Sequence, residues 1–151
     1  MEVKAKLIGG CILAVLLLAI ITNAGQPKMI SSHIKEVHVG SAVVRAEVAD
    51  TPAAQAHGLS GRASLAEGEG MLFIFEEEEP HGIWMKDMNF AIDIVWASSD
   101  GTILTIKKHV SPATYPQVFY SSEHLSRYVL EVPAGFSERA GIVVGDKIVV
   151  Q

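Results

Sequence analysis

The chain has 151 residues, 49% of them apolar and 19% charged, enough for one packed domain with an appendage. Twelve Lys and Arg against seventeen Asp and Glu give a net charge of −5 with no basic stripe, which argues against nucleic-acid binding and against charge-driven attraction to an anionic membrane. The single cysteine, Cys11, permits no internal disulfide and leaves the chain beyond it without thiol chemistry, so the fold must rest on packing alone.

Lys4 and Lys6 precede an uninterrupted apolar run from Leu7 to Ile21, and Thr22-Asn23-Ala24 closes it with small and polar residues. This is the pattern of a secretory signal. The run falls short of the ~20 residues of a comfortable membrane span, although residues 22–25 are near neutral and extend it. Residues 1–25 are therefore read as a cleaved signal peptide or a retained N-terminal anchor. Either way the lysines stay inside and the rest of the chain is exported, periplasmic or extracellular, or anchored facing outward. Ile8-Gly9-Gly10-Cys11 resembles a lipoprotein box only superficially, because its apolar run follows the cysteine. Residues 26–36 read as a linker and 37–151 as a single domain.

Within that domain, His38 to Asp50 alternates as a strand rich in valine. Thr51-Pro52 opens a short helix through His57, and Gly58 stops it. Gly70 to Phe75 is apolar throughout, as expected of a strand covered on both faces. Glu76 to Pro80 reads as a connection. Gly82 to Met88 and Phe90 to Ala97 read as two strands, Ser98-Ser99-Asp100-Gly101 as a hairpin turn, and Thr102 to Val110 as the returning strand. Ser111 to Ser126 reads as a loop, and Arg127 to Val132 as a strand. Phe136 to Ala140 gives a second short helix, and Lys147 to Gln151 a closing strand. The fold expected is α+β or mostly β: a compact, barrel-like, largely antiparallel sheet of about seven short strands with two short helices.

Five motifs then stand in order: Gly58-Leu59-Ser60-Gly61-Arg62, Gly70-Met71-Leu72-Phe73-Ile74-Phe75, Trp84-Met85-Lys86, Ile92-Asp93-Ile94-Val95 and Leu130-Glu131-Val132-Pro133-Ala134-Gly135. In order and approximate spacing they resemble the domain-of-unknown-function 192 family over Val37 to Val150. The resemblance implies a compact barrel-like β fold, often with an export signal, and no established activity. The chain departs from the family pattern at Ser60, where methionine is usual. It departs again at Asp87 and Met88, where asparagine and threonine are usual.

Several polar residues sit inside apolar motifs. Strand alternation puts Ile83, Met85 and Asp87 on one face and Trp84, Lys86 and Met88 on the other. Trp84 with Lys86 suits a polar ligand, the ring for stacking and the ammonium for an acidic group. The favoured alternative is a tryptophan closing the core with Lys86 reaching over it to solvent. Asp93 lies in an apolar strand and must be paired, hydrogen-bonded or protonated. Arg62, Lys86 and backbone amides are its possible partners, and a structural acceptor anchoring the 58–62 loop is the simplest role. Glu131 raises the same question. Arg62 can hold an anionic ligand or clamp Asp93 or Glu131.

The five candidate ligand-binding residues are thus Arg62, Trp84, Lys86, Asp93 and Glu131. Asp93 and Glu131 facing each other would make an acid–base pair for a small hydrolase or carbohydrate-active enzyme. The other expectations are a binding or accessory module for a small polar ligand or an envelope partner, and a purely structural or partner-binding domain. No cofactor and no metal site is implied: His81 with nearby glutamates lacks a metal-binding spacing, and Glu76 to Glu79, the other option, lacks an EF-hand spacing for calcium. Ser60, Ser121 and Ser122 are nucleophiles by residue type only, since no nucleophile elbow, Walker loop or dinucleotide fingerprint is present. Membrane contact is expected only through the N-terminal segment.

Overall fold

The computed structural model describes residues 33–121 and 125–151. The readings of the signal or anchor, Cys11, the linker through residue 32, Ser122 and His124 lie outside the described residues. Among those described, no helix is long and apolar enough to cross a membrane.

The valine-rich segment forms two strands rather than one. β1 (Ile34–Val39) and β2 (Ala42–Ala49) are joined by a turn in which Gly40 takes a φ of +57°. That conformation suits glycine, and it splits the stretch that alternation alone reads as continuous. α1 (Pro52–His57) has the expected boundaries: Thr51 accepts a hydrogen bond from the Ala54 amide at 3.2 Å, and Gly58 ends the helix. β3 (Glu69–Glu79) runs on through the four glutamates expected to be a connection, with its register slipping between Ile74 and Glu79.

β4 (Ile83–Trp84) is only two residues long and pairs with β7 (Val118–Phe119). β5 (Ile92–Ala97) and β6 (Ile103–Val110) form the expected hairpin. A single 3-10 turn, Pro112–Thr114, interrupts the loop before β7. β8 (Ser126–Pro133), α2 (Phe136–Arg139) and β9 (Ile148–Val150) complete the chain.

The main sheet has the order β6-β5-β8-β3-β2-β1-β9. All neighbours are antiparallel except β2 and β3, which are parallel and joined through α1. The sheet curls so that its two ends approach. Thr102 bridges to Lys147, and the Ile103 and Ile148 amides donate to Asp146 and Gly101. A half-barrel closed by turns rather than by a full strand pair results, and it matches the barrel-like expectation.

Two apolar layers sandwich this sheet. Val37, Val44, Leu72, Val95, Leu130 and Val132 fill the inside, with Phe136 of α2 against them. Leu59, Met71, Phe73, Ile94, Trp96 and Val129 pack outside it, beneath α1 and the β4 segment. β5 is buried at every position for this reason, and the apolar run of β3 has partners on both faces. Gly70 allows the close packing in between: a Cβ there would lie 2.7 Å from the Glu131 carbonyl oxygen.

Candidate functional site

The five candidate residues do not form one cluster. Cross-strand pairing sets Asp93 opposite Val132, and Ile94 opposite Glu131. Successive residues of a strand point to opposite faces. Asp93 therefore lies on the inner face with Val95 and Val132, and Glu131 on the outer face with Ile94 and Met71. The two carboxyls share no cleft, so the acid–base pair expected for a hydrolase is not formed.

Asp93 is fully buried and fully engaged. Its Oδ1 accepts the His109 amide at 2.8 Å and the Gly135 amide at 3.0 Å, and its Oδ2 accepts the Ser137 amide at 3.0 Å. Gly135 is the N-cap of α2 and has no side chain to cap with, so Asp93 supplies that cap from across the sheet. It also fixes two left-handed residues, His109 at φ +52° and Gly135 at φ +79°. Asp93 is thus the structural acceptor expected, but it anchors the α2 turn and not the loop at 58–62.

Arg62 is spent as well. It makes a two-pronged pair with Glu47, at 2.5 and 2.6 Å, which raises the guanidinium pKa further. It clamps neither Asp93 nor Glu131, although its charge is felt at Glu131.

The outer face is different. The loop after α1 interlocks with the segment after β4: Ser60 Oγ donates to the Lys86 carbonyl at 2.8 Å, the Gly61 amide to the Asp87 carbonyl at 2.8 Å, and Asn89 Nδ2 to the Arg62 carbonyl at 2.8 Å. Asp87 turns there with a φ of +55°. This turn stops the strand expected through Met88, and it overturns the prediction that Trp84 closes the core. Trp96 is the core tryptophan, with Nε1 donating to the His81 carbonyl, whereas Trp84 is 46% exposed. Lys86 Nζ lies 5.7 Å from the centre of the Trp84 ring, and Tyr115 meets that ring edge-on at 6.2 Å. Trp84 and Lys86 thus stand together at the surface, and Trp84 does not close the core.

Between the interlocked loops runs a cleft lined by Gln55, His57, Ser60, Trp84 and Met88, with Glu131 among its walls. Its cavity volume is about 40 Å³, enough for a few waters or the end of a ligand, and far below a drug-sized pocket. Glu131 is 4% exposed and has no hydrogen-bond partner among the described residues. Burial pushes its pKa up to about 8, against the opposing pull of the Arg62 charge. Of the five candidates, Trp84 and Glu131 meet at this cleft, and Lys86 lies over the Trp84 ring. Arg62 and Asp93 are held elsewhere. Gln55 and His57 escaped the sequence reading because nothing in a short alanine-rich helix marks which residues face a cleft.

The remaining sequence candidates are occupied by structure. His81 stacks on Phe75 with ring centres 3.5 Å apart, and its Nε2 meets the Glu77 carbonyl at 3.0 Å. Among the described residues no group of three His, Cys, Asp or Glu is placed to hold a metal ion. Ser121 is buried and shares a hydrogen bond with Thr105.

The DUF192 family model, described as an uncharacterized ACR, matches residues 34–150. The chain belongs to the DUF192 family. Two solved structures are similar to it. One is a candidate transcription regulator from Sinorhizobium meliloti 1021, 32% identical, with a TM-score of 0.74; the match covers 80% of this chain and 96% of that one. The other is a protein of unknown function from Novosphingobium aromaticivorans DSM 12444, 28% identical, with a TM-score of 0.75, covering 81% and 89%. No curated protein matches the chain. Ser60 and Asp87 stand at the contact between the two loops that enclose the cleft.

Proposed function

We propose that this DUF192 domain is a binding module that takes one end of a small polar ligand into the cleft between Trp84 and Glu131. The observation that supports this most directly is an acidic side chain buried to 4% exposure, facing a cleft and without a hydrogen-bond partner among the described residues. Such a group is costly to bury, and a ligand that satisfies it recovers part of that cost. The exposed Trp84 ring, with Tyr115 at its edge, offers a flat apolar surface beside the entrance. The same proposal places the domain outside the cytoplasm, delivered by the apolar run from Leu7 to Ile21 behind Lys4 and Lys6. A regulator acting through direct DNA contact fits poorly with a net charge of −5.

The test is a metabolite-fragment screen on the full chain by thermal shift, repeated with Trp84→Ala and Glu131→Gln. The expected hits lose their stabilising effect in both variants. Hits that stabilise both variants as well as the wild type would overturn the assignment of the cleft.

A further inference from the structure

Building on the cleft reading, we infer that the group this cleft receives is a primary ammonium on a short unbranched stem. The inference comes from counting which hydrogen-bonding capacity the walls have left. Gln55 Nε2 donates both its hydrogens, to the Ile74 carbonyl at 2.9 Å and the Ala49 carbonyl at 3.4 Å. Only its Oε1 acceptor remains. Ser60 has donated its hydroxyl hydrogen to the Lys86 carbonyl at 2.8 Å, so its oxygen remains as an acceptor. Glu131 brings a carboxyl with no partner among the described residues. Three residues of one small cleft thus offer acceptors, and the donors left on its lining, the Trp84 indole and the His57 ring, belong to exposed residues at the mouth.

An ammonium carries three donors and one positive charge, which matches that set once Glu131 gives up its proton; a carboxylate or phosphate brings no donor for the Gln55 and Ser60 acceptors and finds only the single Glu131 proton to accept. The cavity volume of about 40 Å³ admits a head group and little else, so the stem must leave across the apolar surface of Trp84, whose ring already has a cation, Lys86, 5.7 Å from its centre. Free alkylamines and the lysine side chain of a polypeptide share this chemistry.

Charge complementarity has a consequence in pH. Glu131 holds its proton up to about pH 8, and an entering ammonium displaces it. Affinity therefore rises by up to about tenfold per pH unit until that point and then levels off. The other charged or titratable groups around Glu131 are His57, which lines the same cleft from the end of α1, and Arg62, whose charge Glu131 shares with Glu47 and with Glu69 of β3; its cross-strand neighbours on β3 and β5 are the apolar Met71 and Ile94. Repeating the titration in a His57→Gln variant separates any contribution of the imidazole from that of Glu131.

The experiment is calorimetric or NMR titration of the full chain with n-butylammonium and with Nα-acetyl-lysinamide, and with butyrate and butanol as shape controls. Both amines are expected to bind at least tenfold more tightly than either control, and more tightly at pH 8 than at pH 7. Glu131→Gln is expected to weaken them at least tenfold and to abolish the pH dependence. Lys86→Ala, over the Trp84 ring, is expected to strengthen amine binding by removing a like charge. Tighter binding of the lysinamide than of butylammonium identifies a chain-borne lysine as the source, and equal binding a free amine. Butyrate or butanol binding in the cleft as tightly as the amines would refute the ammonium while leaving the cleft reading standing. Amines that bind Glu131→Gln undiminished, or that do not bind the wild type, would refute it as well.

Discussion

Asp93 and Glu131 are both buried carboxyls on neighbouring strands, β5 and β8, and they differ in one respect that decides their roles. Asp93 faces inward and accepts three backbone amides. Glu131 faces outward into a cleft and accepts none from the described residues. Burial alone therefore does not mark a functional acid. What separates the two is whether the fold itself has supplied the partner: a satisfied carboxyl is part of the architecture, and an unsatisfied one facing a cavity is available to something else.

The sharpest way to break this contrast is to remove the acceptor that the fold depends on. Asp93→Ala orphans two buried amides and one partly buried one, at roughly 1–3 kcal/mol each. The expected loss of roughly 4–6 kcal/mol is comparable with the whole stability of a domain of this size, and urea denaturation should find the variant largely unfolded. Asp93→Asn keeps one acceptor oxygen and should fold at a cost of about 2 kcal/mol. A stable Asp93→Ala protein would mean that the α2 turn holds itself and that the remote cap is incidental.

Glu131 should respond in the opposite direction. Its folded pKa of about 8 lies above the ordinary value of 4.5. Below about pH 4.5 the group is protonated in both states and carries no electrostatic penalty. As pH rises from there to 8, the unfolded chain releases the proton while the folded one retains it, so stability falls and then levels off. The fall between pH 5 and pH 8 should be roughly 3–4 kcal/mol. Glu131→Gln removes that slope, leaving a protein more stable than the wild type at pH 8. A wild-type stability profile that is flat over this interval would show that Glu131 is ionised and partnered, and would erase its contrast with Asp93.

How much of this was legible in the sequence follows from the range of the forces involved. The caps of α1, the doubly covered strand at Gly70–Phe73 and the hairpin at Asp100-Gly101 depend on neighbours a few residues away, and they stand where the pattern puts them. Asp93 was legible as a carboxyl that needs a partner, but its partners lie 16, 42 and 44 residues away in sequence, and no local pattern names them. The turn at Gly40 and the left-handed Asp87 were missed because alternation continues across both. Asp87 mattered most: by ending β4 at Trp84 it leaves on the surface a ring that residue statistics assign to the core. Which of two alternating faces holds a cleft is set by register with β3 and β5, and a single strand does not encode that.

The smallest expected effect concerns Trp84. An aromatic side chain retained for packing costs roughly 3–5 kcal/mol when truncated to alanine. Trp84 is 46% exposed, and its ring meets Tyr115 edge-on and the Lys86 ammonium, both on the surface. Surface cation–ring contacts contribute about 0.5–1 kcal/mol. With the ring half-buried, Trp84→Ala should lower stability by roughly 1–2 kcal/mol, whereas Trp96→Ala, in the buried layer beneath, should show the full core penalty. A loss at Trp84 as large as that at Trp96 would place both rings in one core and remove the aromatic wall from the proposed site.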